Sequence, residues 1–343
     1  LIMKRSLILA CGMAGLAVAP DGSLFVSDLT RIRVVRPVLP NYVVSDVLIP
    51  SEDGREVYVF NTGGGHLKTL DALTGATRYD FGYNAEGYPT TVTDGSGNVT
   101  TIERTGAIAS AIVAPGGQRT TLSISADGWL LSATNPAGNA YAMTYSDDGL
   151  LQTFTDPRGQ LHQFAYDSLG QLTSDVDPAG GSTTLVRTAQ PNGYAVTTTT
   201  AEGRTNIYQV EQLSTDVVRR RFTSTSGLVT TTLVNADDSE QSTYPDGSMR
   251  TKKFGPDPRW GMLAPVTKSE VVTTPGGRIR TVLATRTATL SNPNNVLSLA
   301  SLTDTVTDNG AVSTRVFSNN GTTRSLVETS AAVGVPRNEN PHR

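Results

Sequence analysis

The sequence predicts an all-β chain, a serial array of β-hairpins forming one curved or spiralling sheet, and three observations carry that prediction. The first is a beat: Pro115, Pro136, Pro157 and Pro178 recur every 21 residues, as do Gly128, Gly149 and Gly170. A fixed period of roughly 20–50 residues marks a repeat architecture. The second is what each period holds: a D/N-x-x-G turn and a D-P-x-G turn, each followed by a run of roughly 6–8 strand-forming residues, so that one repeat is one hairpin. The third is composition. Threonine, serine, glycine and valine dominate, aromatics are 6%, and stretches such as Val196-Thr-Thr-Thr-Thr200 and Val229-Thr-Thr-Thr-Leu-Val234 favour a pleated, half-buried surface.

In chain order, five segments follow. Residues 1–50 contain Gly15-Leu-Ala-Val-Ala-Pro-Asp-Gly-Ser-Leu-Phe-Val-Ser-Asp28 and then Arg31-Ile-Arg-Val-Val35, read as three strands with Pro20-Asp21-Gly22 as a turn. Residues 51–78 form a junction, where Val57–Phe60 and His66–Leu70 flank the glycine-rich turn Asn61-Thr-Gly-Gly-Gly65. Residues 79–188 carry the regular repeats; Gly97 to Gly117 is one residue short of the beat. Residues 189–330 keep the turn chemistry loosely, at Pro191-Asn-Gly193, Tyr244-Pro-Asp-Gly247 and Thr274-Pro-Gly-Gly277. Within them Gly255-Pro-Asp-Pro-Arg-Trp-Gly261 reads as a longer rigid loop. Residues 331–343 are polar and aperiodic, expected to be a frayed or truncated tail. The chain starts at Leu1, and Lys4-Arg5 before a short apolar run to Cys11 admits a signal-peptide reading; a clipped piece of a preceding domain fits better.

Charge and cysteine content narrow the function classes. With 28 basic against 31 acidic residues the net charge is −3, so no general field recruits nucleic acid or an anionic membrane. No run of about 20 apolar residues offers a stable membrane span. Cys11 is the only cysteine, which excludes an intramolecular disulfide. No G-x-S-x-G elbow, P-loop, H-E-x-x-H or dinucleotide fingerprint occurs.

The remaining candidates have ordinary structural readings. Asp147-Asp148 and Asp237-Asp238 sit beside turn glycines, where Asx residues cap turns. Asp94-Gly-Ser-Gly-Asn98 and Asp175-Val-Asp177 lack the spacing of an EF-hand. His162 reads as a structural histidine on a strand, and Trp129 and Trp260 as core or turn-packing residues. Arg219-Arg-Arg221 reads as charge blunting a sheet edge. Asn98 and Asn320 fit the glycosylation sequon, which matters only in a secretory setting. No catalytic, cofactor-binding or metal-ligating residue is assigned, and no cofactor is expected.

Tyr145-Ser-Asp-Asp-Gly149 to Asp156-Pro-Arg-Gly159, and Tyr166-Asp-Ser-Leu-Gly170 to Asp177-Pro-Ala-Gly180, resemble the YD repeats of the Rhs family, shared with teneurins and the C components of bacterial toxin complexes. The resemblance is strong over about 79–187 and weaker over 190–330. Residues 15–28 are similar to one blade of an NHL-type β-propeller, which implies a partial blade before the array. The resemblance implies hairpins added edge to edge into a partial shell, with the repeat tyrosines stacked as a ladder. It also implies a bacterial, secreted or surface-exposed, non-enzymatic wall that encloses or presents an attached, toxin-like polypeptide. Family members that release cargo carry a self-cleaving segment, which has no counterpart in this sequence. An adhesin that contacts carbohydrate or protein at a cell surface is the first alternative, and a carbohydrate-active β-solenoid enzyme the second.

Overall fold

A computed structural model describes residues 15–18, 24–28, 31–35, 46–213 and 216–330. The first three strands, β1 (Gly15–Val18), β2 (Leu24–Asp28) and β3 (Arg31–Val35), form an antiparallel meander in the order β1-β2-β3. The strands fall where the sequence places them, but a propeller blade needs more than this meander. The turn at Pro20-Asp21-Gly22, the signal-peptide reading of residues 1–14 and the tail 331–343 lie outside the described residues.

The other described residues form one all-antiparallel sheet of 25 strands without a helix. It opens with β4 (Val47–Pro50), β5 (Glu56–Phe60), β6 (His66–Asp71), β7 (Thr77–Tyr83) and β8 (Pro89–Asp94). The regular part follows as β9 (Val99–Thr105), β10 (Ile108–Val113), β11 (Arg119–Ile124), β12 (Leu130–Thr134), β13 (Ala140–Tyr145), β14 (Leu151–Thr155), β15 (Leu161–Tyr166) and β16 (Leu172–Val176). Strands then lengthen: β17 (Ser182–Gln190), β18 (Gly193–Thr200), β19 (Thr205–Gln212), β20 (Val218–Thr223), β21 (Val229–Val234) and β22 (Glu240–Thr243). The last six are β23 (Met249–Asp257), β24 (Gly261–Thr273), β25 (Ile279–Leu290), β26 (Leu299–Asp308), β27 (Ala311–Asn319) and β28 (Arg324–Thr329). Each strand pairs with the next, as short connections dictate, and β28 pairs only with β27.

The turns explain why the sequence folds this way locally. At Asp156 the backbone N–H donates to Gln160 O (2.9 Å) and the carbonyl accepts from Gly159 N (2.9 Å). The Asp156 carboxylate accepts from the N–H groups of Arg158 and Gln160 at 2.8 and 2.9 Å. Asp94, Asn135, Asp167 and Asp177 repeat this pattern with their own turn amides. The fourth residue must take a positive φ, which is why glycine recurs there (Gly149 80°, Gly159 78°). The short period has a location too: Thr105 pairs with Ile108, so the turn at Gly106-Ala107 is two residues long.

Successive turns alternate between two rims. Those at Gly87, Gly128, Gly149 and Gly170 share one rim, and those at Gly97, Gly117, Gly138, Gly159 and Gly180 the other. On the first rim each hairpin carries a bulge. Thr144 opposes Thr153 and Tyr145 opposes Leu151, which leaves Gln152 unopposed. Thr90, Ser110, Leu131 and Thr173 are left over in the same way, so the bulge keeps the beat and its one short interval.

Register supplies the curvature. Ala142 opposes Thr155, which opposes Leu161, while the residue one repeat after Ala142 is Gln163. Thr121, Thr134 and Ala140 show the same offset of two residues per hairpin. An even offset keeps each side chain on its face. Two residues of slip across two strand spacings tilt the strands by about 35° to the array axis, which is the tilt at which sheets coil into barrels. The sheet therefore spirals because of a shear built into a 21-residue repeat.

Candidate functional site

Because no second layer among the described residues covers the regular array, its two faces define what it can contact. One face gathers large apolar groups: Leu122, Ala133 and Tyr141 oppose one another in a row, and Met143, Phe154 and His162 in the next. The rings of Tyr141 and Phe154 lie 5.6 Å apart, and those of Phe154 and His162 6.1 Å. The other face is small and hydroxylated, with Ser123, Ser132, Ala142 and Thr155 in one row, and Thr144 and Thr153 joined through their hydroxyls at 2.6 Å.

The bulged rim is stapled and the other is open. Tyr145 Oη donates to Leu130 O (2.9 Å) and Tyr166 Oη to Leu151 O (2.8 Å), each tying its hairpin to the preceding one. Tyr83 does the same to His66 O at 2.7 Å. The tyrosines thus act through their hydroxyls rather than as the stacked ladder the resemblance implied; Tyr145 packs instead on Trp129, at 5.6 Å. Trp129 also covers the next turn, where a Cβ built on Gly149 would stand 2.9 Å from its ring; at Gly170 Leu150 is in ordinary contact at 3.6 Å, and at Gly87 and Gly128 of the same rim nothing lies within 4 Å. At Gly97, Gly117, Gly138, Gly159 and Gly180 the same Cβ would meet nothing within 4 Å.

A fork joins the start of the sheet to its later strands. β24 pairs with β25 only over Ser269–Thr273, after which β24 stays with β23 while β25 follows β26. Into this fork fit Val57, Val59, Leu70 and Ala72 from the first hairpins, packed on Trp260 and Ala264 with Val296 and Leu297 beside them. Leu73 joins a second cluster of Leu299, Leu302 and Phe317.

A polar latch crosses the same fork. The Asp257 carboxylate, 1% exposed, accepts from the N–H groups of Arg259 (2.8 Å) and Trp260 (3.1 Å) and from Arg286 Nη1 (3.2 Å). Arg286 grips Asp304 with two further bonds of 2.6 and 2.9 Å, and this pairing raises the guanidinium pKa despite burial. Arg259 Nη1 donates to Ala72 O at 2.6 Å, 187 residues away in sequence, and burial lowers its pKa. The segment expected to be a longer rigid loop is therefore a hairpin tip. β23 runs to Asp257, only Pro258-Arg259-Trp260 turns, and Asp257 holds the turn from inside.

The residues weighed from sequence are dispersed. Asp237 caps its turn through Ser239, and Asp238 takes the positive φ (64°) that glycine has elsewhere. At Asp147-Asp148 the cap is instead Ser146 Oγ, which accepts from Leu150 N–H, while both carboxylates face solvent. Asp94 is held by its own turn and by Asn98 Nδ2. Asp175 opposes Phe164 and Thr183 within the sheet, apart from the Asp177 turn. Among the described residues no three His, Cys, Asp or Glu side chains converge as metal ligands.

Arg219–Arg221 do not blunt an edge, since β20 is paired on both sides; Arg219 bonds Glu211, and Arg220 turns to the opposite face. Trp260 is 7% exposed and Trp129 packs on a turn, as their sequence positions suggested. Asn98 and Asn320 stand on exposed turns. The latch of Asp257, Arg286 and Asp304 escaped the sequence reading because its members share no motif, only a place in space.

The sequence model of the Teneurin YD-shell family matches residues 45–323, which is the spiralling sheet almost end to end. Teneurin-3 of Danio rerio is 38% identical over 125 residues, covering 35% of this chain and 5% of that protein. Teneurin-1 of Mus musculus is 38% identical over 122 residues, covering 34% and 4%. The chain thus spans about a twentieth of the length of the curated relatives it matches. Among solved structures, "Crystal Structure of TcdB2-TccC3" aligns at a TM-score of 0.39 and 9% identity, covering 91% of this chain and 19% of that one. With the match extending over most of its length, and with hairpins that carry the repeat tyrosines and both turn types, the chain belongs to the teneurin YD-shell family and forms shell wall.

Proposed function

We propose that this chain is a non-enzymatic wall segment that encloses or presents an attached polypeptide, within a secreted or surface-exposed protein. The observation that carries the reading is the single-layer array with one large apolar face that no other part of the described chain covers. Tyr141 and Ile112 keep 41% and 40% of their surface exposed, and an apolar face of that extent marks a contact surface. A polypeptide is the partner we infer, because an extended chain matches the rows of side chains that the sheet lays out. The carboxylates on which acid–base chemistry would depend are engaged instead by turn amides and arginines. We divide the wall into the regular repeats of 79–188 and the looser ones of 189–330. The adhesin alternative calls for exposed aromatics gathered together; Tyr79, Tyr141 and Tyr208 stand on β7, β13 and β19.

The test uses maleimide labelling in a Cys11→Ser background. Met143→Cys reports the apolar face and Thr144→Cys the hydroxylated one. In the isolated chain both should react. In the intact parent protein Met143→Cys should be protected and Thr144→Cys not; equal labelling of the two in the parent would refute the reading.

A further inference from the structure

Where the regular array gives way to longer strands, β17 outruns its neighbour. β16 pairs with β17 only through Ser182, Thr183 and Thr184, whereas β17 continues with β18 as far as Gln190. β16 begins at Leu172, and its register sets Thr173 and Leu172 beside Leu185 and Val186; Arg187–Gln190 therefore form a local edge with no strand on that side among the described residues, and every second residue turns its N–H and C=O that way. Beside the edge lies a hollow of about 420 Å3, bounded by Leu172, Leu185, Arg187, Tyr194, Val196 and Asp167. That size falls within the roughly 300–1,000 Å3 of ligand pockets.

The lining is apolar in Leu172, Leu185, Tyr194 and Val196, polar in Gln171 and Thr173, and carries two opposite charges, Arg187 and Asp167. The Arg187 guanidinium lies 4.3 Å from the Tyr194 ring centroid and has no carboxylate partner among the described residues. Asp167 is held in its turn by the N–H groups of Leu169 and Gln171. Tyr194 opposes Val210, which opposes Arg220, so a second cation, without a carboxylate partner among the described residues, stands on the same face. The fork makes the contrast. There too the strands part, but the chain fills the gap with Arg286, Trp260 and the first hairpins.

We propose that the free edge of β17 and the adjoining hollow dock an extended acidic peptide by strand addition. The peptide backbone continues the sheet along Arg187–Gln190, one of its apolar side chains enters the hollow, and a neighbouring carboxylate meets Arg187. Main-chain bonds supply affinity in this mode, and the pocket and the charge supply choice of sequence. The slot stands whether or not the wall encloses a polypeptide, because it needs only the local edge.

The probe is an eight-residue peptide of alternating threonine and valine with a central aspartate–phenylalanine pair, added to the full 343-residue chain. Fluorescence anisotropy gives affinity, and hydrogen–deuterium exchange gives location. Binding should protect amides within Arg187–Gln190. It should weaken about tenfold with Arg187→Gln, or with asparagine in place of the peptide aspartate, as loss of one charge-assisted bond implies. Arg204→Gln, on an exposed turn, should leave it unchanged. A peptide N-methylated along its bonding edge should not bind. Equal binding of the N-methylated peptide, protection elsewhere on the chain, or no binding at about 1 mM peptide, the range of weak complexes, would each overturn the proposal.

Discussion

Asp257 ties a hairpin tip to a neighbouring strand, because it accepts two turn amides and an arginine while almost wholly buried. Removing a buried charged partner costs about 3–5 kcal/mol. Asp257→Ala should therefore lower the urea unfolding free energy by about 3 kcal/mol, whereas Tyr166→Phe, which loses one hydroxyl bond to Leu151 O, should cost about 1 kcal/mol. His66 tests electrostatics at the same scale. Its ring lies 4.8 Å from that of Phe60 and 4.4 Å from that of Phe81, and burial lowers its pKa although its bond to Lys68 O opposes the shift. A base depressed by folding contributes stability that is fully present above its unfolded pKa, about 6.5, and is lost as pH falls through the folded value. The chain should thus melt lower at pH 5 than at pH 7.5, and His66→Phe should flatten that difference in a differential scanning measurement. Turn aspartates act at lower pH. Amide bonds, led by that of Gln160, hold Asp156 below the usual carboxylate range, so its contribution fades only as pH drops below about 4.

At the scale of the hairpin the two rims are not equivalent, and a matched pair of glycines exposes the difference. Gly149 and Gly159 have nearly the same φ, 80° and 78°, so either alanine carries a left-handed penalty of roughly 1–2 kcal/mol. Only Gly149 also faces Trp129. Gly149→Ala should therefore destabilise more than Gly159→Ala, and Trp129→Ala should remove the excess, read as a positive coupling in a double-mutant cycle. Equal costs for the two glycines would mean that Trp129 does not bind the rim. Much of the hairpin was legible in advance. Asp156-Pro-Arg-Gly159 and Asp167-Ser-Leu-Gly170 are turn chemistry that acts within five residues, and the 21-residue beat marked the turns that bound β11 to β16, whereas the two-residue turn between β9 and β10 carried no marker. The bulges at Leu131, Gln152 and Thr173 were not legible, since ordinary side chains occupy them and only the partner strand shows which residue is left over. The two-residue offset was hidden for the same reason: a period counts residues along the chain, and shear is a relation between chains of residues side by side.

For the whole molecule the question is whether the sheet behaves as a line or as a ring. In a linear array each repeat touches only its neighbours, and damage spreads outward from where it is made. The fork adds a contact that a line lacks, because Arg259 bonds Ala72 O and Trp260 packs on Val57 and Leu70. No local pattern announces it: Asp257 and Arg286 are 29 residues apart, and Arg259 and Ala72 187. The segment Gly255–Gly261 looked like a loop because its prolines and glycines mark turns, while the partners that make it a hinge of the spiral lie elsewhere in the sequence. Hydrogen exchange distinguishes the two behaviours. Arg259→Met keeps much of the side-chain volume and removes the bond to Ala72, so it should speed exchange at its own hairpin tip and at Val57–Leu70, with β9–β16 unchanged. Tyr166→Phe should speed exchange only in β13–β16, around the hairpins its hydroxyl ties. If Arg259→Met left Val57–Leu70 as protected as before, the fork would be a contact without mechanical consequence and the wall would be a line. Coupled exchange across those 187 residues would make the first hairpins and the β23–β24 tip one cooperative unit, and a spiral sheet would then be fixed in curvature at its seam as well as by its shear.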